Sequence, residues 1–174
     1  MRKTAMLLIA LCLNQVSHAD IQSSSQSHYV LKHEAYSELP PEAVWKKLIT
    51  PSSWWHSDHT YSGDSENISF DAQAGGLWRE DWQGNSVLHG QVVLVNKNKT
   101  LRLNAPFGPL QALGVNTVWT ISLSATGSGT TIRFDEVCNG TPHSNLGDIA
   151  KAVDFVKEQA IQRLAESEKH SADR

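Results

Sequence analysis

The sequence predicts an α+β fold, a curved antiparallel sheet of about six to seven strands wrapped on one long C-terminal helix with a cavity between them. Three observations carry this. Short alternating segments separated by turn signals run from Asn67 to Cys138, the mark of antiparallel strands. Leu146, Ile149, Ala150, Val153, Val156, Ala160 and Leu164 then recur at three- and four-residue steps, one apolar helix stripe. A sheet must curl to cover a single stripe, and pockets favour the space left between such layers.

The chain begins with Arg2-Lys3, an apolar run from Met6 to Leu13 and the small-x-small Ser17-His18-Ala19. Residues 1–19 read as a secretory signal peptide, so the expected location is exported, periplasmic or secreted. The run is too short for a membrane span, which needs roughly 20 apolar residues, and no later segment supplies a stable one. Loss of Arg2 and Lys3 makes a chain of net charge −3 more acidic still. With no basic patch, this argues against nucleic acid as partner. Cys138 is the one cysteine beyond the leader, so no internal disulfide can form and stability must come from a core.

Residues 20–27, rich in serine, read as a flexible lead-in, residues 28–166 as the domain and residues 167–174 as a polar tail. His28 to Tyr36 is a first strand. Pro41 and Glu42 start a short helix whose apolar side is Val44, Trp45 and Leu48, and Pro51 ends it. Trp54 to Asp64 has no clean period and reads as a shaped loop dense in aromatics, histidines and aspartates. Strands follow at 67–71, 77–82, 87–96, 100–105, 115–124 and 130–138. The long helix spans about 144–166, capped by Ser144 or Asn145. Val115, Thr117, Trp119, Ile121 and Leu123 share one strand face, and Ile132, Phe134, Glu136 and Cys138 share another.

The motifs Leu39-Pro40-Pro41-Glu42-Ala43-Val44-Trp45, Thr50-Pro51, Trp54-Trp55, His59-Thr60-Tyr61-Ser62-Gly63-Asp64 with Asn67, Gly75-Gly76, Glu80, His89, Gly108-Pro109-Leu110 and Ala152-Val153-Asp154 together resemble the START-like (SRPBCC) superfamily. The nearest branch is that of Hsp90-ATPase-activator homologues and polyketide-cyclase-like proteins. The resemblance runs from about Val30 to Leu164. It implies the helix-grip fold and a deep apolar pocket for a hydrophobic small molecule. It is a poor guide to activity, because the fold hosts lipid carriers, cyclases, receptors and co-chaperones. Export sets this chain apart from an intracellular co-chaperone.

Candidate chemistry centres on one hairpin. With Gly84-Asn85 as its turn, Glu80 lies opposite His89, and Trp78 and Trp82 share their face. A desolvated carboxylate–imidazole pair can orient a ligand or act as acid and base, so Glu80 and His89 are the candidate catalytic residues. The alternative is a structural cross-strand bond. His59 and Tyr61 read either as ligand contacts at the pocket mouth or as loop braces. The candidate ligand-binding set is Trp55, His59, Tyr61, Trp78, Glu80, Trp82, His89, Phe107, Trp119, Phe134, Glu136 and Val153. His56-Ser57-Asp58-His59, or His59 with Glu80 and His89, imitates a metal site, but the spacing matches no tight signature and no metal is assigned. No glycine-rich phosphate loop or Gly-x-Ser-x-Gly motif is present, and no cofactor is expected.

Three functions follow. The first is a binding protein for a hydrophobic or amphipathic small molecule. The second is a cyclase-like or other acid–base enzyme using Glu80 and His89, and the third is a protein-interaction module. The sequence names no protein partner.

Overall fold

The computed structural model describes residues 18–167. Most of the expected signal peptide and nearly all of the polar tail lie outside them. Among the described residues, eight strands form one antiparallel sheet: β1 (His18–Ser25), β2 (His28–Ser37), β3 (Ile68–Phe70), β4 (Leu77–Trp82), β5 (Asn85–Asn96), β6 (Thr100–Asn104), β7 (Asn116–Thr126) and β8 (Gly129–Asn139). Their spatial order is β1-β2-β8-β7-β6-β5-β4-β3. Two helices, α1 (Pro41–Leu48) and α2 (Leu146–Ala165), pack on its concave face. The α+β class and the sheet-on-helix layering are as the alternation and the stripe dictate, with one strand more than expected.

That strand is β1. The segment 20–27, read as a flexible lead-in, instead pairs along β2 and closes with a turn. Composition misleads here because the strand needs little of its own side chains. β2 would otherwise present an open edge, and Ile21 packs against the cluster of Tyr29, Leu31, Leu146 and Ala150.

Helix α1 starts on Pro41, whose missing N–H costs nothing at a first turn, and buries Val44, Trp45 and Leu48. The Lys47 ammonium donates to the Arg163 and Glu166 carbonyls at 2.6 and 2.7 Å, closing the C-terminal end of α2. A capping box of Thr141 and Ser144 leads into Asn145, which turns the chain in the left-handed region before α2.

The core falls into two clusters. The larger holds Trp54, Trp55, Trp78, Trp119 and Phe134 with α1 and the C-terminal half of α2. The smaller holds Tyr29, Leu31, Leu110, Cys138, Leu146 and Ala150. Ring centroids in the first lie close: 5.9 Å for Trp54–Trp78, 6.0 Å for Trp78–Trp119 and 4.9 Å for Trp119–Phe134. Edge-to-face and tilted aromatic packing of this kind fills most of the space between sheet and helix. The deep apolar pocket expected there is therefore largely occupied by the protein's own tryptophans.

Candidate functional site

What remains is a cleft of about 200 Å³ at the seam between the two clusters. Trp55, Phe107 and Val156 come from one cluster, and Leu110, Ile149 and Val153 from the other. His59, Gly108, Pro109 and Ala152 complete the rim, and Glu136 and Lys157 complete the lining. The half-burial of Ile149, Val153 and Val156 follows from this. They sit on the apolar stripe of α2 but face the cleft rather than the sheet. Other depressions, by α1 and over β3–β4, have neither its apolar walls nor a buried ion pair.

Glu136 and Lys157 are each only 2% exposed. Strand alternation turns Glu136 inward between Phe134 and Cys138, and helical spacing puts Lys157 one turn beyond Val153 on the inner side of α2. Lys157 Nζ lies 2.9 Å from Glu136 Oε2, a charge contact without the alignment of a directed hydrogen bond. The other carboxylate oxygen, Oε1, accepts from the Tyr29 hydroxyl at 2.7 Å. The ammonium sits 3.1 Å from the Trp119 ring centroid and 4.7 Å from that of Phe107, a cation–π cage. Burial lowers the Lys157 ammonium to about 8 against the opposing pull of Glu136. Burial likewise raises the Tyr29 phenol, and Glu136 adds to that rise.

Glu80 and His89 do meet, at 2.8 Å between Oε2 and Nε2, but not as direct partners. The hairpin turn is Gln83-Gly84, not Gly84-Asn85. Both residues take positive φ, 47° and 80°, as a two-residue primed turn demands. This moves the partner of Glu80 to Val87. A bulge between Leu88 and Gly90 leaves His89 as the extra residue opposite Trp78, turned inward and diagonal to Glu80. Gly90 allows the close approach, since a Cβ there would lie 2.7 Å from the Ala105 Cβ.

Neither residue lines the cleft. Glu80, fully buried, accepts from the backbone N–H groups of Tyr61, at 3.0 Å, and Ser62, as well as from His89. Burial pushes its carboxyl up, but the hydrogen bonds from Ser62, Tyr61 and His89 outweigh burial and hold it below the usual carboxylate range. Burial also holds the His89 imidazole below its ordinary value, Glu80 opposing. The bond to ionised Glu80 therefore comes from a neutral ring protonated at Nε2, and among the described residues buried Nδ1 has no partner.

The Trp54–Asp64 segment is thus strapped down on three sides. Glu80 holds it to β4. His59 Nε2 meets Gln159 Oε1 of α2 at 2.7 Å, and Arg163 Nε donates to the Trp54 carbonyl at 2.8 Å. The Tyr61 hydroxyl donates to the Gly108 carbonyl at 3.2 Å. Of the expected ligand set, Trp55, His59, Phe107, Glu136 and Val153 line the cleft. Trp78, Trp119 and Phe134 lie in the core, fully or almost fully buried, because the aromatic cluster closes over them. Tyr61 is 51% exposed and stacks on half-buried Trp82, outside the cleft. Among the described residues no group of three or more histidines, cysteines or carboxylates is placed to hold a metal. Sequence reasoning missed Lys157. The available signal was a lysine on the stripe of α2 matched by Glu136 on an inward strand face, two charges that can only be buried as a pair.

No family model matches the chain, and no curated protein does. Solved structures do. A protein from Mesorhizobium loti, MLL2253, matches at TM-score 0.55 and 20% identity over 78% of this chain and 93% of that one. The Aha1 dimer from Colwellia psychrerythraea matches at TM-score 0.58 and 17% identity over 83% and 98%. CalU16 from Micromonospora echinospora matches at TM-score 0.51 and 13% identity over 87% and 85%. At these identities the likeness carries the fold alone, and the eight-stranded curved sheet closed by one long helix is accordingly the helix-grip fold.

Proposed function

We propose that this protein, exported from the cell by its N-terminal leader and related to the activator-homologue and cyclase-like branch of the START-like superfamily, binds a small amphipathic molecule in the cleft between the sheet and α2. The observation that carries this is the buried Lys157–Glu136 pair in a mostly apolar cleft lining. An ion pair in such a place is poor structural value, since a hydrophobic replacement of similar volume is often neutral or stabilising. A polar anchor for a ligand head explains it.

The cleft sets the size of the occupant. An engineered cavity of about 150 Å³ in another protein accepts benzene, so this cleft of about 200 Å³ suits one ring or a short chain with a polar substituent. Burying one such ring gives about 4–6 kcal/mol, from roughly 150–250 Å² at about 25 cal/mol per Å². A charge-assisted bond to Lys157 adds about 1.5–3 kcal/mol. After an association cost of about 4 kcal/mol or more, at most about 5 kcal/mol remains, so the affinity is weak, sub-millimolar at best.

The acid–base alternative through Glu80 and His89 has weaker support, because that carboxylate is spent on the loop backbone and lies outside the cleft lining. The test is a thermal-shift screen of single-ring and short-chain acids, alcohols and carbonyl compounds against the wild type and Ala152→Trp, an exposed rim position that can carry a plug. A ligand at 100 times its Kd stabilises by about 2.7 kcal/mol. That is a rise of roughly 5–11 °C for a domain of this size. Binding predicts such a rise in the wild type and its loss in Ala152→Trp. Equal responses in both proteins, or none in either, would refute it.

A further inference from the structure

Resting on the binding reading above, we infer that Lys157 captures carbonyl ligands covalently, as a reversible imine with its side-chain nitrogen. Lys157 extends from an apolar helix face into a cage of Trp55, Phe107 and Trp119, so it reaches the cleft wall with an amine rather than with a solvated surface charge. Its carboxylate partner among the described residues, Glu136, is 2.9 Å away and holds it through one oxygen, the other being bound to Tyr29. Among the described residues the ammonium has no well-aligned hydrogen bond, only the close charge contact with Glu136. A buried lysine of this kind is the usual form of an amine nucleophile, since desolvation favours the uncharged form. Its lowered pKa of about 8 leaves roughly a tenth of the groups as free amine at neutral pH, far above an ordinary lysine.

The step balances without any oxidant or reductant. Glu136 takes a proton from the ammonium. The amine lone pair attacks the carbonyl carbon, a C–N bond forms, and the C=O π electrons move to oxygen, which takes the proton that the nitrogen sheds. The carbinolamine then loses hydroxide as water, with a proton returned by Glu136, while the nitrogen lone pair forms C=N. Ammonium and carbonyl give a protonated imine and water, with Glu136 returned to its starting state. Phe107, half-buried at the wall and leading into the 3₁₀ segment Gly108–Leu113, is the ring that must swing to admit the carbonyl. The groups that bear on the amine are Glu136 of β8, directly, and Tyr29 of β2 through its bond to Glu136.

The experiment treats the mature wild-type chain with benzaldehyde or hexanal and sodium cyanoborohydride at pH 7.5, then maps the reduced adducts by peptide mass spectrometry. The expected result is Lys157 labelled first, at least tenfold faster than any surface lysine, and slower labelling in Glu136→Gln. Labelling confined to surface lysines, with Lys157 unmodified, overturns the covalent step. Because the primary measurement is on the wild type, a poorly folding variant does not blur it. A parallel NMR titration with benzyl alcohol, which cannot form an imine, separates the two claims. If it binds the cleft while Lys157 stays unlabelled, only the covalent step falls. If it does not bind and Lys157 stays unlabelled, the binding reading falls as well.

Discussion

Glu80→Gln separates a latch from a catalyst. The side chain keeps its shape and loses its charge. In the wild type three N–H groups converge on the carboxylate, from Tyr61 at 3.0 Å, Ser62, and His89 at 2.8 Å. A glutamine amide has one oxygen, which can serve Tyr61 and His89 from the position of Oε2. Its NH₂ then faces the Ser62 N–H, donor against donor. One buried donor left unsatisfied costs about 1–3 kcal/mol, and loss of charge assistance on the other two bonds adds roughly another 1 kcal/mol. We expect a destabilisation of about 2–4 kcal/mol. At a urea slope near 2 kcal/mol per M this lowers the unfolding midpoint by about 1–2 M. The sign with pH is also fixed. The Glu80 carboxyl is held below its ordinary 4.5, so its stabilisation is full above that value and is lost as pH falls through the lowered value. Glu80→Gln removes that part of the acid limb. The assay is urea unfolding across pH with hydrogen exchange at the Tyr61 and Ser62 amides, which exchange faster in the variant. Stability within about 0.5 kcal/mol of wild type, with those amides unchanged, would refute the latch and favour a catalytic carboxylate.

Three other outcomes follow from the same geometry. Lys157→Met leaves Glu136 buried and unpaired and costs about 3–5 kcal/mol in urea unfolding, whereas Lys157→Met with Glu136→Gln recovers most of it; equal stability of the single and double variants would contradict this. Between pH 8 and 10 the unfolded chain holds a Lys157 proton that the folded chain has shed, so wild-type stability gains a rising term of order 3 kcal/mol in full, absent from Lys157→Met; the raised Tyr29 phenol opposes it above pH 10. Gly90→Val drives a side chain into Ala105 and the Asn104 carbonyl and destabilises by roughly 1–3 kcal/mol, read as a lower melting temperature with the Glu80–His89 contact disturbed in NMR spectra.

The elements were legible because period and punctuation agree along most of the chain. β4 is bounded as its alternation requires, and Glu136 faces inward with Phe134 and Cys138 as expected. Three things were not legible, each for a physical reason. β1 is stabilised by an edge it covers, not by its own serine-rich composition. The Glu80–His89 contact was foreseen through the wrong turn. The shifted turn leaves both residues on the same face, and the bulge that aims His89 depends on Gly90 and Ala105, a contact between strands that local sequence does not display. The cleft chemistry was only half visible. Glu136 stood out in an alternating strand, but Lys157 hid in a helix where long cationic side chains ordinarily reach solvent. Nor does a count of tryptophans say whether they line a pocket or fill it, and here Trp54, Trp78 and Trp119 fill it.

The central claim is that the cleft beside Lys157 holds a small molecule. Native mass spectrometry tests it most directly, on the protein taken from its own compartment, beside Ala152→Trp produced in the same cells. The account predicts an organic mass of about one ring or short chain on the wild type, absent from the plugged variant. A wild-type chain that never carries added mass, or a mass that stays on Ala152→Trp, would contradict it.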